Sequence, residues 1–118
     1  MTNIENLKYF FGAYRGICIL TIYGIASVKS LGAMTEILEK LSKEKSKKYL
    51  IDFNNTDTTD ESIILILINF KNIIKEKKAK FRFCGFSRQL KHKLIDEGVL
   101  EENEYVTRQM DAFNELAK

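Results

Sequence analysis

Six consecutive aliphatic residues, Ile63 to Ile68, are followed at three- and four-residue intervals by Phe70, Ile73 and Ile74. The run alone would suit a buried strand, but its continuation and the acidic, Thr-rich lead-in predict a helix from about Asp60 to about Lys77. At about 100° per residue, Ile63, Ile66, Leu67, Phe70, Ile73 and Ile74 share one face, while Ile64, Leu65 and Ile68 point nearly the opposite way. One face can rest on a sheet. The second stripe needs either a neighbouring helix or a macromolecular partner, because wet helix faces do not ordinarily carry three large aliphatics together.

The segments around this helix say what it packs on. Lys8–Tyr14 and Ile17–Tyr23 are β-branched and aromatic runs separated by Arg15-Gly16, the pattern of two strands joined by a tight turn. Leu31, Met34, Ile37, Leu38 and Leu41 have amphipathic helical spacing. The lysines that follow, Lys43 to Lys48, read as a solvated helix end where positive charge suits the macrodipole. Tyr49–Phe53 is a short strand, and the polar run Asn54–Ser62 is turn chemistry leading into the central helix. A strand over Lys80–Cys84, a helix from Ser87 to about Glu97 ended by Gly98, a short extended piece around Tyr105 and a last helix from Thr107 complete the chain. Strands separated by helices need crossovers. The expectation is therefore one α/β domain over residues 1–118, with a mixed sheet of four to five strands backed by helices in the order ββαβαβαβα. There is no proline to mark an internal linker.

Composition narrows the function. Nineteen basic and sixteen acidic side chains leave a formal charge of +3, which gives nucleic-acid binding no support. No run approaches the roughly 20 apolar residues of a membrane span, and the N-terminus lacks the pattern of a secretory signal, so the expected location is cytoplasmic without membrane insertion. Cys18 and Cys84 sit in apolar β-rich runs and read as buried, reduced thiols. His92, the single histidine, lies between Lys91 and Lys93 on the outer side of a helix, and the six glycines are too scattered for a phosphate loop. Asp52, Asp57, Asp60 and Glu61 gather near the end of one strand, where open α/β sheets place their sites. Magnesium or nucleotide binding is one reading of them; acids complementing a helix N-terminus is the other.

Ser62 lies in the first turn of the central helix. A phosphate there would face unpaired backbone N–H groups and the positive end of the dipole, adding about −1.5 to −2 charge beside the apolar stripe. The alternative is a plain cap, with Thr58 and Glu61 forming a capping box.

The stretch from Tyr49 through Asp52 to Asp60-Glu61-Ser62 resembles the core of the STAS domain (sulfate transporter and anti-sigma factor antagonist), in which a hydrophobic strand bearing an Asp is followed eight residues later by an Asp-Ser-Ser/Thr-Gly motif. Leu20-Thr-Ile-Tyr-Gly24 is similar to the family's second strand, and Phe83-Cys-Gly85-Phe-Ser87 with Leu94 and Gly98-Val-Leu100 to its later strand and helix. The resemblance implies a non-enzymatic module without a cofactor that binds an anti-sigma factor, a serine kinase of ATPase fold. Ser62 matches the phosphoacceptor and Asp60 and Asp52 the motif acids, and the expected partner-binding residues around them are Thr58, Thr59, Glu61 and the stripe of Ile64, Leu65 and Ile68. A STAS accessory subunit docking on an ABC transporter ATPase, or joining a stress-signalling assembly, is the alternative, and dimerisation through the apolar stripe stays open. The chain departs from the motif at Glu61, which replaces a hydroxyl residue and puts charge next to the acceptor. It departs again at Ile63, which replaces a glycine and crowds the backbone, and at Ser27, which stands where an acid is frequent.

Overall fold

The computed structural model describes residues 7–25, 31–57 and 62–118. Its elements are β1 (Lys8–Tyr14), β2 (Ile17–Ile25), α1 (Leu31–Lys43), β3 (Lys48–Asp57), α2 (Ser62–Glu76), β4 (Lys80–Cys84), α3 (Arg88–Asp96), a 3₁₀ turn (Glu102–Glu104) and α4 (Gln109–Ala117). The sheet runs β1-β2-β3-β4, with β1 antiparallel to β2 and the other pairs parallel. At the β1–β2 corner Arg15 and Gly16 both take left-handed backbone, φ 53° and 80°, the geometry that lets a two-residue turn follow the twist of its strands.

Strand alternation sorts the side chains into two cores. Tyr49, Ile51 and Phe53 of β3 meet Phe81 and Phe83 of β4, Met34, Ile37 and Leu41 of α1, and Ile66, Leu67, Phe70 and Ile74 of α2 on one side. Leu50, Ile17 and Cys84 meet Ala112 and Leu116 of α4 on the other. Among the described residues the helix α4 covers that second face, held by Arg82 Nε to Glu115 Oε1 at 2.8 Å and by Gln109 Nε2 to Asp52 Oδ2 at 2.8 Å. Both thiols are buried and free, as expected.

The ends of β2 and β3 and the piece at Tyr105 differ most from the sequence reading. Asn54 to Asp57, expected as turn, continue β3, because Tyr23, Gly24 and Ile25 of a longer β2 pair with Asn55, Thr56 and Asp57. Pairing satisfies the backbone and overrides the residues' turn preference. The register shifts between Thr21 and Tyr23, so β3 carries one extra residue shortly before its end, a bulge of the kind that re-aims a strand's tip. The extended piece at Tyr105 is a single bridge to Phe83 rather than a fifth strand. The 3₁₀ turn before it and α4 after it leave no length for a ladder. The tyrosine is fixed by its side chain instead: its hydroxyl accepts from Phe86 N and donates to Phe86 O, both at 3.0 Å, while its ring stacks on Phe86 at 5.3 Å.

The α3 ends follow their local chemistry. Ser87 accepts from Leu90 N at 3.1 Å to cap the start. Gly98, φ 76°, ends the helix with Val99 N donating to Leu94 O and Gly98 N to Ile95 O, two carbonyls of its last turn.

Candidate functional site

The candidate site lies at the end of the sheet where β3 finishes and α2 begins. Ser62 is the first residue of α2, a 15-residue helix whose first turn contains no acid. The opening N–H groups of any such helix have no intrahelical acceptor, so the position suits an anion or a capping oxygen. Thr58, Thr59, Asp60 and Glu61 lie outside the described residues, as does Ser27.

The second stripe of α2 divides in two. Ile64 is half-buried and packs against the main core. Leu65 is 63% exposed and Ile68 38% exposed, so no neighbouring helix among the described residues seals them from water. Opposite them, Ile66, Leu67, Phe70 and Ile74 are buried, the face expected to meet the sheet. The helix is anchored along one side and leaves two large aliphatics in water within its first two turns.

Asp52 is held on the far face of the sheet. It is 5% exposed and its carboxylate receives Gln109 Nε2 from α4 on the far face of the sheet. The Cys84 thiol also hydrogen-bonds to it; burial foremost, then the Asp52 charge and this bond, push that thiol well above its ordinary range. Strand parity explains the geometry: Ile51 and Phe53 point toward α2, so Asp52 between them must point away. Its carboxylate therefore lies on the side of α4, across the sheet from the buried face of α2. No group of three His, Cys, Asp or Glu able to hold a metal occurs among the described residues. His92 is exposed on α3, as its lysine neighbours suggested.

Several supporting residues escaped sequence reasoning. Lys71 of α2 is buried and pairs with Glu104 at 2.7 Å while donating to Val99 O at 2.7 Å. Phe53, at the last described inward position of β3, stacks on Phe86, which stacks on Tyr105. These contacts tie the strand leading into the site, and the helix leading out of it, to the C-terminal third of the chain. The one sequence signal was a lysine interrupting the buried face of an otherwise apolar helix.

No helix among the described residues is long and apolar enough to cross a membrane. None of the curated proteins searched matches the sequence. Solved structures do match in fold. The SpoIIAA cell-fate determinant of Bacillus in its phosphorylated form superposes with a TM-score of 0.71 at 10% identity, covering 92% of this chain and 98% of that one. RsbS of Moorella thermoacetica gives 0.75 at 14% identity, covering 92% and 94%. The murine Slc26a9 anion transporter gives 0.66 at 13% identity, covering 86% of this chain and 18% of the transporter. The family model for the STAS domain matches residues 13–113, and the chain therefore belongs to the STAS domain family.

Proposed function

We infer that this protein is a non-enzymatic regulatory module of the anti-sigma factor antagonist type, which docks on an anti-sigma factor kinase through the start of α2. The observation that carries the reading is the exposure of Leu65 and Ile68 directly after Ser62, an apolar contact surface beside a helix N-terminus. A related fold has been solved in both phosphorylated and unphosphorylated forms, which supports a phosphate-controlled contact as the mode of regulation. Ser62 is the proposed acceptor. A phosphate there would be stabilised by the helix end yet place charge where a partner requires a dry contact. Asp60, Thr58, Thr59 and Glu61, which precede Ser62 in the sequence, belong to the proposed contact, and Ile64 would support the patch from beneath.

Affinity for the cognate kinase tests this. Ser62→Asp should weaken binding by more than tenfold, about 1.4 kcal/mol, while Ser62→Ala should not. Leu65→Glu should weaken it whatever stands at position 62. Equal binding by all three variants would overturn the reading.

A second reading, a STAS accessory subunit docking on transport machinery such as an ABC transporter ATPase, is favoured by the match to one region of an anion transporter. Co-purification of the tagged protein with a transporter ATPase and not with a kinase would decide for it.

A further inference from the structure

Two six-residue segments of this chain are near copies: Lys43-Glu-Lys-Ser-Lys-Lys48 and Lys75-Glu-Lys-Lys-Ala-Lys80. Each spans the end of a helix and the start of the next strand, α1 into β3 and α2 into β4. Parallel strands begin at the same edge of a sheet, so the two segments lie side by side. Lys80 N donates to Lys47 O at 3.0 Å, and Lys48 is the register partner of both Lys80 and Ile17. The Lys77 ammonium caps the last turn of α1 through the carbonyls of Ser42 and Glu44. Arg15, in the β1–β2 turn, joins the same edge, and together with Gly16 and residues 44–48 it lines an open concavity of about 530 Å³.

Arg15 and the two segments together hold nine basic residues against two acids, Glu44 and Glu76, while the rest of the sequence has ten basic against fourteen acidic. The modest overall charge of +3 conceals a strongly polar distribution. Helix dipoles account for part of it, since both α1 and α2 end here. They do not account for two further residues. Arg15 and Lys78, φ 53° and 57°, are the two non-glycine residues with left-handed backbone among those described, and both lie on this edge. Glycine or asparagine fits such positions with less strain, so at both the chain carries a cation where the backbone alone would choose otherwise.

We propose that this basic pole docks on the anionic surface of a phospholipid bilayer, without insertion. Eight of the nine cations are lysines, point charges suited to a diffuse anionic field rather than to bidentate reading of individual phosphates. The adjacent exposed aromatic, Tyr14, offers no free stacking platform for bases: Arg15 sits over its ring at 5.3 Å and Phe113 lies 5.4 Å away. Ser62 is at the opposite end of α2, about 22 Å along the helix, so a molecule resting on its basic pole would hold the exposed Leu65 and Ile68 end away from the membrane.

Co-sedimentation of the full chain with vesicles tests the proposal. Binding is expected to phosphatidylcholine vesicles containing about a third phosphatidylglycerol at about 50 mM salt, and not to pure phosphatidylcholine or at about 500 mM salt. Lys45→Glu/Lys47→Glu/Lys75→Glu should lower the partition coefficient about tenfold or more, whereas Lys8→Glu/Arg88→Glu/Arg108→Glu, with the same change in net charge, should leave it within about threefold. Should the first variant unfold, Lys45→Gln/Lys47→Gln/Lys75→Gln serves in its place, with a smaller loss expected. Equal losses for the pole and the control, equal binding to neutral vesicles, or a shift of duplex DNA or RNA without vesicle binding would each overturn the proposal. Ser62→Asp should leave vesicle binding unchanged, so this test and that of kinase docking fail separately.

Discussion

Lys71 and Glu104 form an ion pair of 2.7 Å between α2 and the 3₁₀ turn, with side chains only 11% and 9% exposed. The same ammonium donates to Val99 O at 2.7 Å and Glu104 Oε1 accepts from Glu101 N at 3.0 Å, so both partners are hydrogen-bonded as well as paired. An interior pair of this kind adds little over a well-packed apolar pair, but losing one member strands the other. Glu104→Gln is expected to cost about 3 kcal/mol in urea denaturation, and Lys71→Met/Glu104→Leu to recover most of it.

The two sides of α2 should respond to substitution in opposite ways. Phe70→Ala removes a fully buried ring and should cost about 3–5 kcal/mol. Leu65→Ser, at a position 63% exposed, should change the unfolding free energy by less than about 0.5 kcal/mol. A stability loss for Leu65→Ser near that of Phe70→Ala would mean that the patch is core and not surface.

Gln109→Leu should loosen α4 selectively. It removes the amide that reaches Asp52, a buried carboxylate, and the expected cost is about 1–2 kcal/mol. Amide exchange should accelerate in residues 109–117 more than in α2.

The α2 end should accept a stabilising change. Lys78 N donates to Lys75 O and Ala79 N to Ile74 O, the pattern that glycine usually serves, yet Lys78 supplies the left-handed residue. Lys78→Gly should stabilise by up to about 1 kcal/mol, read as a higher urea midpoint.

Alkaline pH should weaken the fold. Burial, with Glu44 adding to it and Lys77 opposing, pushes the Cys18 thiol from 9.0 up to about 11, and burial pushes the Tyr49 phenol from 10.0 up to about 12. The folded protein keeps these protons over a range in which the unfolded chain has lost them. Stability must therefore decline as pH rises from about 9 towards about 11, and Cys18→Ala should flatten the first part of that decline. Neither thiol should react with a thiol reagent at neutral pH until the chain unfolds.

Much of this architecture was legible in the residues. The β1 and β4 bounds, the Arg15-Gly16 turn, the start of α3 at Ser87 and the Gly98 stop all depend on groups within four positions of one another, where periodicity and turn chemistry speak directly. Asn54–Asp57 were misread because β2 decides their conformation, and β2 lies some thirty residues earlier in the chain. At the candidate site, the two-faced pattern of α2 was visible, but not that Ile64 would turn inward while Leu65 and Ile68 stayed in water.

By itself, then, the amino-acid order determined the elements, their sequence along the chain and the apolar character of both sides of α2, since each follows from side-chain spacing on a helix or strand. Only the folded topology decided that Asp52 would turn toward Gln109, that Lys71 would find Glu104, and that two lysine-rich connections would share one edge. Charge and exposure are properties of neighbours in space. Parallel strands bring residues thirty positions apart into register, and a one-dimensional pattern contains no record of that.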